Sequence, residues 1–188
     1  MARPKEFDPE DALAAAVGVF REHGYAGTSA EMLTEAMQIG KQSLYDTFGG
    51  KWPLYCAALE QYVGAETRSH IAELKAGPTA RGGVERMMKR VVADARLNCL
   101  GVSSVCEFGD GNKDLVKIRA SAGQGLRAVL VSRIREAQAD GDMSADLEPH
   151  HAAGFLIANV AAIRIAARGG AGDTELRALV RLALQALK

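Results

Sequence analysis

A group of polar side chains in the N-terminal part of the chain has the chemistry needed to contact a nucleic acid. A glutamine amide can pair with two atoms of an adenine edge, and a lysine can reach guanine or a phosphate. Nearby hydroxyl groups and helix N-termini can bind phosphate oxygens and hold a protein in register on a duplex. The residues with this chemistry are Thr28, Ser29, Lys41, Gln42, Ser43, Tyr45 and Lys51.

Three short helices are predicted to position these side chains. Asp8, which is followed by a proline, is typical of the start of the first helix. Residues 28–31 have the spacing of a capping box, with Thr28 as the N-cap of the second helix. A tight turn at residues 38–40 and a third helix from Lys41 complete a helix-turn-helix. Outward side chains at the start of the third helix would then enter the major groove of DNA.

The composition and periodicity predict an all-α fold for the whole chain. Hydrophobic residues make up 48% of the sequence but aromatic residues only 5%, and the abundant Ala and Leu favour helices over strands. We expect Gly82 and Gly83 to form a loop, Thr174 to cap the last helix, and a short helix with a loop between residues 98 and 113. Further helices are predicted at about 52–75, 84–92, 114–140, 149–167 and 174–187.

The charge distribution predicts that any contact with DNA is local. The formal net charge is zero, so the whole chain has no net attraction to phosphate. Residues 1–51 carry five Lys and Arg against eight Asp and Glu, a net charge of −3. Asp46 in particular would repel phosphate. We therefore expect a modest, salt-sensitive affinity that depends on Lys41 and Lys51 and on Arg3 and Lys5 in an N-terminal arm.

The pattern of residues from Gly24 to Lys51 resembles the TetR family of transcriptional repressors, without a gap from Thr28 onward. Two positions in the turn differ from the usual family pattern, since Gln38 replaces a glycine and Gly40 replaces a serine or threonine. The residues that carry the resemblance are Gly24-Tyr25, Thr28-Ser29, Ile39 and the segment SLYDTFGGK at 43–51.

The resemblance implies a homodimeric repressor that a small-molecule effector releases from a palindromic double-stranded DNA operator. It implies a helix-turn-helix DNA-binding domain at residues 1–51 and an effector-binding and dimerisation domain at residues 52–188. Tyr45 resembles a family tyrosine whose hydroxyl contacts the DNA backbone. The last two long helices would form the dimer interface, because the helix at 149–167 is too apolar for the surface of a monomer; alternatively, both helices fill the core of one chain.

The resemblance also implies an effector cavity among the fourth to eighth helices. Flexible apolar side chains with one or two polar groups are typical of such cavities. Arg119 and Arg164 would pair either with a carboxylate ligand or with an internal acid. Cys99 would be either a small buried residue or a sensor of oxidants or electrophiles. The candidate lining residues are Met87, Met88, Cys99, Phe108, Arg119, Phe155 and Asn159.

Other classes of function have less support from the sequence. P-loop, dinucleotide-binding, zinc-protease and nucleophile-elbow motifs are missing, and His150 and His151 are adjacent and would point about 100° apart on a helix. We therefore expect no enzymatic activity, cofactor or metal. The cysteines lack a C-x-x-C spacing, no leader precedes Asp8, and the apolar stretch 152–167 is shorter than the ~20 residues of a membrane span. A cytoplasmic protein without a membrane segment is expected.

One alternative remains open from the sequence alone. The acidic balance of the first 51 residues also fits a helical ligand carrier or adaptor that does not bind DNA. A salt titration of duplex binding separates the two, because phosphate contacts give a steep salt dependence.

Overall fold

The computed structural model describes residues 7–188, which contain nine α-helices and no strand. This result confirms the predicted all-α fold. Arg3 and Lys5, the predicted contributors of the N-terminal arm, lie outside the described residues. The helices are α1 (Pro9–His23), α2 (Ala30–Met37), α3 (Lys41–Phe48), α4 (Lys51–Ala76), α5 (Ala80–Ala93), α6 (Leu100–Phe108), α7 (Lys113–Ala139), α8 (Pro149–Arg168) and α9 (Asp173–Gln185).

Side-chain caps define the ends of the first two helices. The carboxylate of Asp8 accepts a hydrogen bond of 2.8 Å from the amide of Glu10, as its N-cap position predicts. The N-cap of α2 is Ser29, whose hydroxyl accepts from the Met32 amide at 3.2 Å. The prediction of Thr28 as this cap was wrong by one residue. Thr28 is buried, and its hydroxyl donates to the Gly24 carbonyl at 2.6 Å, closing the turn after α1.

The turn between α2 and α3 requires an unusual backbone conformation. Gln38 has φ 53° and ψ 42°, the one positive φ outside glycine between residues 7 and 188. Its amide donates to the Glu35 carbonyl at 3.2 Å. Gly40 precedes α3 and provides no side-chain cap. Leu44, which is 1% exposed, is the residue that anchors α3 in the core.

Replacing Gln38 by Gly should increase the free energy of unfolding by about 0.5–1 kcal/mol. The left-handed conformation costs a residue with a Cβ roughly 1–2 kcal/mol, and the extra freedom of glycine in the unfolded chain offsets part of that gain. Urea denaturation of the purified protein measures the change. Gln124 lies exposed within α7, so Gln124→Gly is the matched control and should destabilise by about 1 kcal/mol. A loss of stability in Gln38→Gly would contradict the prediction.

One compact unit consists of the described residues up to Gly64 together with Asn98–Ala120. It contains α1, α2, α3, the first part of α4, α6 and the start of α7. The large side chains buried in its core are Phe20, Leu33, Leu44, Leu54, Tyr55, Leu59, Leu100 and Leu115. This unit is larger than the predicted DNA-binding domain of residues 1–51, and that functional boundary stays a prediction.

A second compact unit consists of Ala65–Leu97 and Ser121–Lys188. Gly82 and Gly83 lie inside α5, so the loop predicted there was wrong. A Cβ on Gly83 would lie 2.1 Å from the Leu74 carbonyl oxygen, so glycine permits close packing of α5 on the end of α4. The N-cap of α9 is Gly172 and not the predicted Thr174. The largest core residues of this unit are Leu74, Met87, Met88, Leu130, Ile134 and Leu156.

Candidate functional site

The first two turns of α3 form an exposed polar surface in the first unit. Lys41, Gln42, Tyr45 and Asp46 are all exposed, and Tyr45 retains 48% of its accessible surface. Leu44 lies on the opposite side of the helix in the core, which orients these four side chains outward. Such an arrangement is the one that a recognition helix needs for the major groove.

The polar side chains of this surface have partners within the chain. The Nε2 atom of Gln42 donates to Oδ1 of Asp46 at 2.8 Å, and Nζ of Lys41 lies 3.8 Å from Oε1 of Glu31. Hydrogen bonds from its own backbone and from Ser29, followed by the Lys41 charge, lower the pKa of Glu31. DNA would therefore meet side chains that are already oriented.

The remaining predicted DNA contacts differ in their availability. The Ser29 hydroxyl caps α2 and is half-buried, whereas the Thr28 hydroxyl is directed inward to the Gly24 carbonyl. Ser43 is half-buried on α3. Lys51 begins α4, and its Nζ lies 4.2 Å from the centre of the Tyr25 ring, a distance at which a cation and an aromatic face attract.

Glu107 on α6 holds the turn between α1 and α2. Its two carboxylate oxygens accept from the amides of Tyr25 at 3.0 Å and Ala26 at 2.7 Å. The Tyr25 ring packs edge-on against Trp52 and Phe108, with centroids 5.2 and 5.7 Å away. Sequence reasoning missed Glu107, since nothing near it in the chain indicates a partner about eighty residues away. The contact ties α6 to the helix-turn-helix.

Three predicted effector-binding residues lie around α6 in the first unit. Cys99 is half-buried at the N-cap of α6, and Phe108 belongs to the aromatic cluster beside Tyr25. Arg119 donates to the Ser104 hydroxyl at 2.8 Å and to the Gly109 carbonyl. These bonds connect Arg119 to α6 and to the residue after it. The partners are a hydroxyl and carbonyls, and not the internal acid that was one of its two predicted alternatives.

The other four predicted effector-binding residues lie in the second unit. Met87 and Met88 are fully buried in its core. Phe155 is 43% exposed on α8, and the Asn159 amide donates to its carbonyl at 2.9 Å. The structure thus divides the seven predicted residues between the two units, and within the second unit Phe155 lies close to Asn159. Their role in binding an effector stays a prediction.

Surface cavities in the described part of the second unit include three of about 470–680 Å³, of which two lie beside α9 or α8. A groove of about 680 Å³ between α5 and α9 has Val92, Val180 and Leu184 among its lining residues, and no predicted effector residue lines it. A second cavity of about 470 Å³ is lined by Phe155 and residues near the start of α8.

A buried charge network crosses the core of the second unit. Glu66 accepts hydrogen bonds from Arg164, which is 3% exposed, and from Arg90 at 2.8 Å. Burial alone would raise the pKa of Glu66, but the bonds and charges of the two arginines lower it. Burial lowers the pKa of the neighbouring His70 to about 4. Arg164 therefore pairs with an internal acid, one of its two predicted alternatives.

The outer face of α8 is apolar and uncovered in the single chain. Its exposed residues Phe155, Ala158, Ala162 and Ile165 follow each other at helical spacing, and Ile165 is 52% exposed. Within residues 7–188, α8 is also the one helix long and apolar enough to cross a membrane. The Arg164 ion pair and the packing of α8 on α9 place it in a protein core.

The family model for bacterial regulatory proteins of the tetR family matches residues 12–58. An uncharacterized HTH-type regulator of Bacillus subtilis (strain 168), YezE, is 35% identical over 49% of this chain and 47% of its own length. The HTH-type transcriptional repressor ComR of Escherichia coli (strain K12) is 27% identical over 93% of this chain and 86% of its own.

One of the solved structures matches along nearly the whole of this chain. The TetR family regulator CifR, as a cysteine mutant complexed with 26-bp double-strand operator DNA, is 31% identical, with a TM-score of 0.83. The match covers 99% of this chain and 100% of that one. Together with the exposed recognition helix, this similarity shows that the chain belongs to the TetR family of transcriptional regulators.

Proposed function

We propose that this protein is a cytoplasmic, homodimeric repressor that binds a palindromic DNA operator and leaves it when a small molecule binds. The observation that carries the proposal is the exposed polar face of α3 on a buried support, in a chain 31% identical to a regulator solved with operator DNA. The function requires binding alone and no catalysis.

The residues of the proposed interface have separate roles. Lys41 and Gln42 would contact base edges from the start of α3, and Tyr45 and Lys51 would bind phosphates on either side. Ser29 at the start of α2 would add a phosphate contact. Thr28 would act through the turn that its hydroxyl closes. Lys51 is favourably placed because the Tyr25 ring restrains it at the start of α4.

The apolar face of α8 supports the proposed dimer. A two-fold axis through this face would bury Phe155 and Ile165 of both copies, together with Leu182, which is 59% exposed on α9. A two-fold dimer requires an operator with two half-sites related by the same symmetry, about one helical turn apart or somewhat more. The effector would bind within residues 52–188.

Selection of bound duplexes from a random library at low salt should recover a palindromic motif. Lys41→Ala and Tyr45→Ala should each weaken binding to that motif by about tenfold or more, because each removes a DNA contact from both halves of the dimer. Fluorescence anisotropy measures the affinity, and size-exclusion chromatography checks the dimer.

Lys75 is exposed on α4 in the second unit. Lys75→Ala is therefore the matched control and should leave the affinity for DNA unchanged. Wild-type affinity in both α3 variants would contradict the proposed docking. Failure to enrich any motif, with no salt dependence of duplex binding, would instead favour a ligand carrier or adaptor.

A further inference from the structure

We propose that Gln42 and Asp46 act as one base-reading unit, in which the Asp46 carboxylate orients the Gln42 amide so that α3 selects adenine at one position of each half-site. The inference rests on the proposed DNA binding and adds the identity of a base and a positioning residue. The observation that supports it is the hydrogen bond of 2.8 Å from Nε2 of Gln42 to Oδ1 of Asp46.

The bond defines which atoms of Gln42 remain for a base. The two residues are one helical turn apart and exposed on the same face of α3. A glutamine amide has two N–H donors and one oxygen acceptor. Asp46 takes one donor and leaves the other, together with Oε1. Adenine presents the N7 acceptor and the N6 amino donor in the major groove, which is the complement of this remaining pair.

The same bond disfavours guanine at that position. Guanine presents two acceptors, N7 and O6, so it requires two donors from the protein. The Gln42 amide can supply both only by releasing Asp46, which would leave the carboxylate without its partner. In addition, the second oxygen of Asp46 would repel an acceptor on the base but can accept from an amino group. Asp46 therefore lowers attraction to phosphate and raises discrimination between bases.

The negative charge of Asp46 is not the only property through which it would affect DNA binding. In the described part of the chain, no ion pair is found for Asp46, whereas Glu31 on α2 has the Lys41 ammonium 3.8 Å away. The partner of Asp46 is thus the neutral amide that would read the base. A change at Asp46 should alter base preference as well as affinity, and these two effects can be measured separately.

The experiment selects operators with the wild type, Asp46→Ala, Asp46→Asn and Glu35→Ala. We expect Asp46→Ala to reduce the adenine-to-guanine preference at one position per half-site by about fivefold or more, while other positions stay unchanged. Asp46→Asn removes the charge but keeps an acceptor for Gln42, so it should retain the preference. Glu35 is exposed on α2, and Glu35→Ala removes the same charge without an expected change in base preference.

The outcomes separate this inference from the function on which it rests. An identical motif from wild type and Asp46→Ala would overturn the base-reading unit while leaving DNA binding intact. Loss of the preference in Asp46→Asn as well would overturn the orienting role. A wild type that enriches no motif would overturn the DNA-binding proposal and this inference together. Circular dichroism confirms that each variant remains helical.

Discussion

Replacing Glu66 by Ala lowers the free energy of unfolding by about 3 kcal/mol, because it removes the carboxylate between two arginines of the core. Arg164 is 3% exposed and cannot reach water without opening the packing of α8. Without the Glu66 carboxylate, a large part of the cost of desolvating the Arg164 guanidinium is no longer offset. Urea denaturation measures the change. Lowering the pH should also reduce the free energy of unfolding.

The direction in which stability changes with pH follows from the pKa shifts of Glu66 and His70. The pKa of Glu66 is lowered in the folded protein, so its contribution is present above its ordinary pKa of 4.5 and is lost as pH falls through the folded value. The pKa of His70 falls from 6.5 to about 4 on burial. The unfolded chain therefore binds a proton at higher pH than the folded protein. Stability should decrease from about pH 6.5 downward.

Two comparisons isolate the buried network from ordinary surface pairs. Glu73 on the same helix pairs with Arg86 at 2.9 Å, with side chains 29% and 49% exposed, and Glu73→Ala should cost less than about 1 kcal/mol. Glu66→Ala combined with Arg164→Met should recover most of the loss, because both charges are removed from the core. Equal effects of Glu66→Ala and Glu73→Ala would refute this account.

Ile165→Glu should convert the dimer to a monomer and weaken operator binding by about 100-fold or more. The carboxylate would lie in the apolar face of α8, where a second copy would bury two of them near the two-fold axis. One helix-turn-helix then holds one half-site and loses the advantage of simultaneous contact with both. Analytical ultracentrifugation measures the association, and anisotropy with the selected operator measures the affinity.

The control places the same charge on an apolar residue elsewhere. Leu97 is 56% exposed in the turn after α5 and lies outside the α8 face, so Leu97→Glu should remain dimeric and bind DNA normally. Phe155→Glu should reproduce the effect of Ile165→Glu from the other end of the face. Dimers of unchanged affinity in both α8 variants would show that this face is not the interface.

Helix starts and ends were predicted well where one residue determines them through its nearest neighbours. Asp8 accepts from an amide two residues away, as its predicted N-cap position requires. The recognition helix begins at Lys41 as predicted. Such interactions depend on the backbone within one turn, so the sequence carries them directly.

Two of the errors arose where packing changes the meaning of a local signal. Gly82 and Gly83 indicate a loop in isolation, but they permit α5 to pack closely on the Leu74 backbone. Thr28 has the chemistry of an N-cap, yet its burial turns the hydroxyl to Gly24 and leaves the cap to Ser29. Burial and close approach are properties of the packed chain and not of the segment.

The sequence by itself determined the all-α fold, the position of the recognition helix and the set of polar side chains on it. These follow from hydrophobic period and from bonds within four residues. Only the tertiary structure decided that Arg164 pairs with Glu66, which lies 98 residues earlier, and that Glu107 holds the turn at Tyr25 and Ala26. Each of these polar groups has several possible partners in the sequence, and the packing of the helices brings one of them within hydrogen-bond distance.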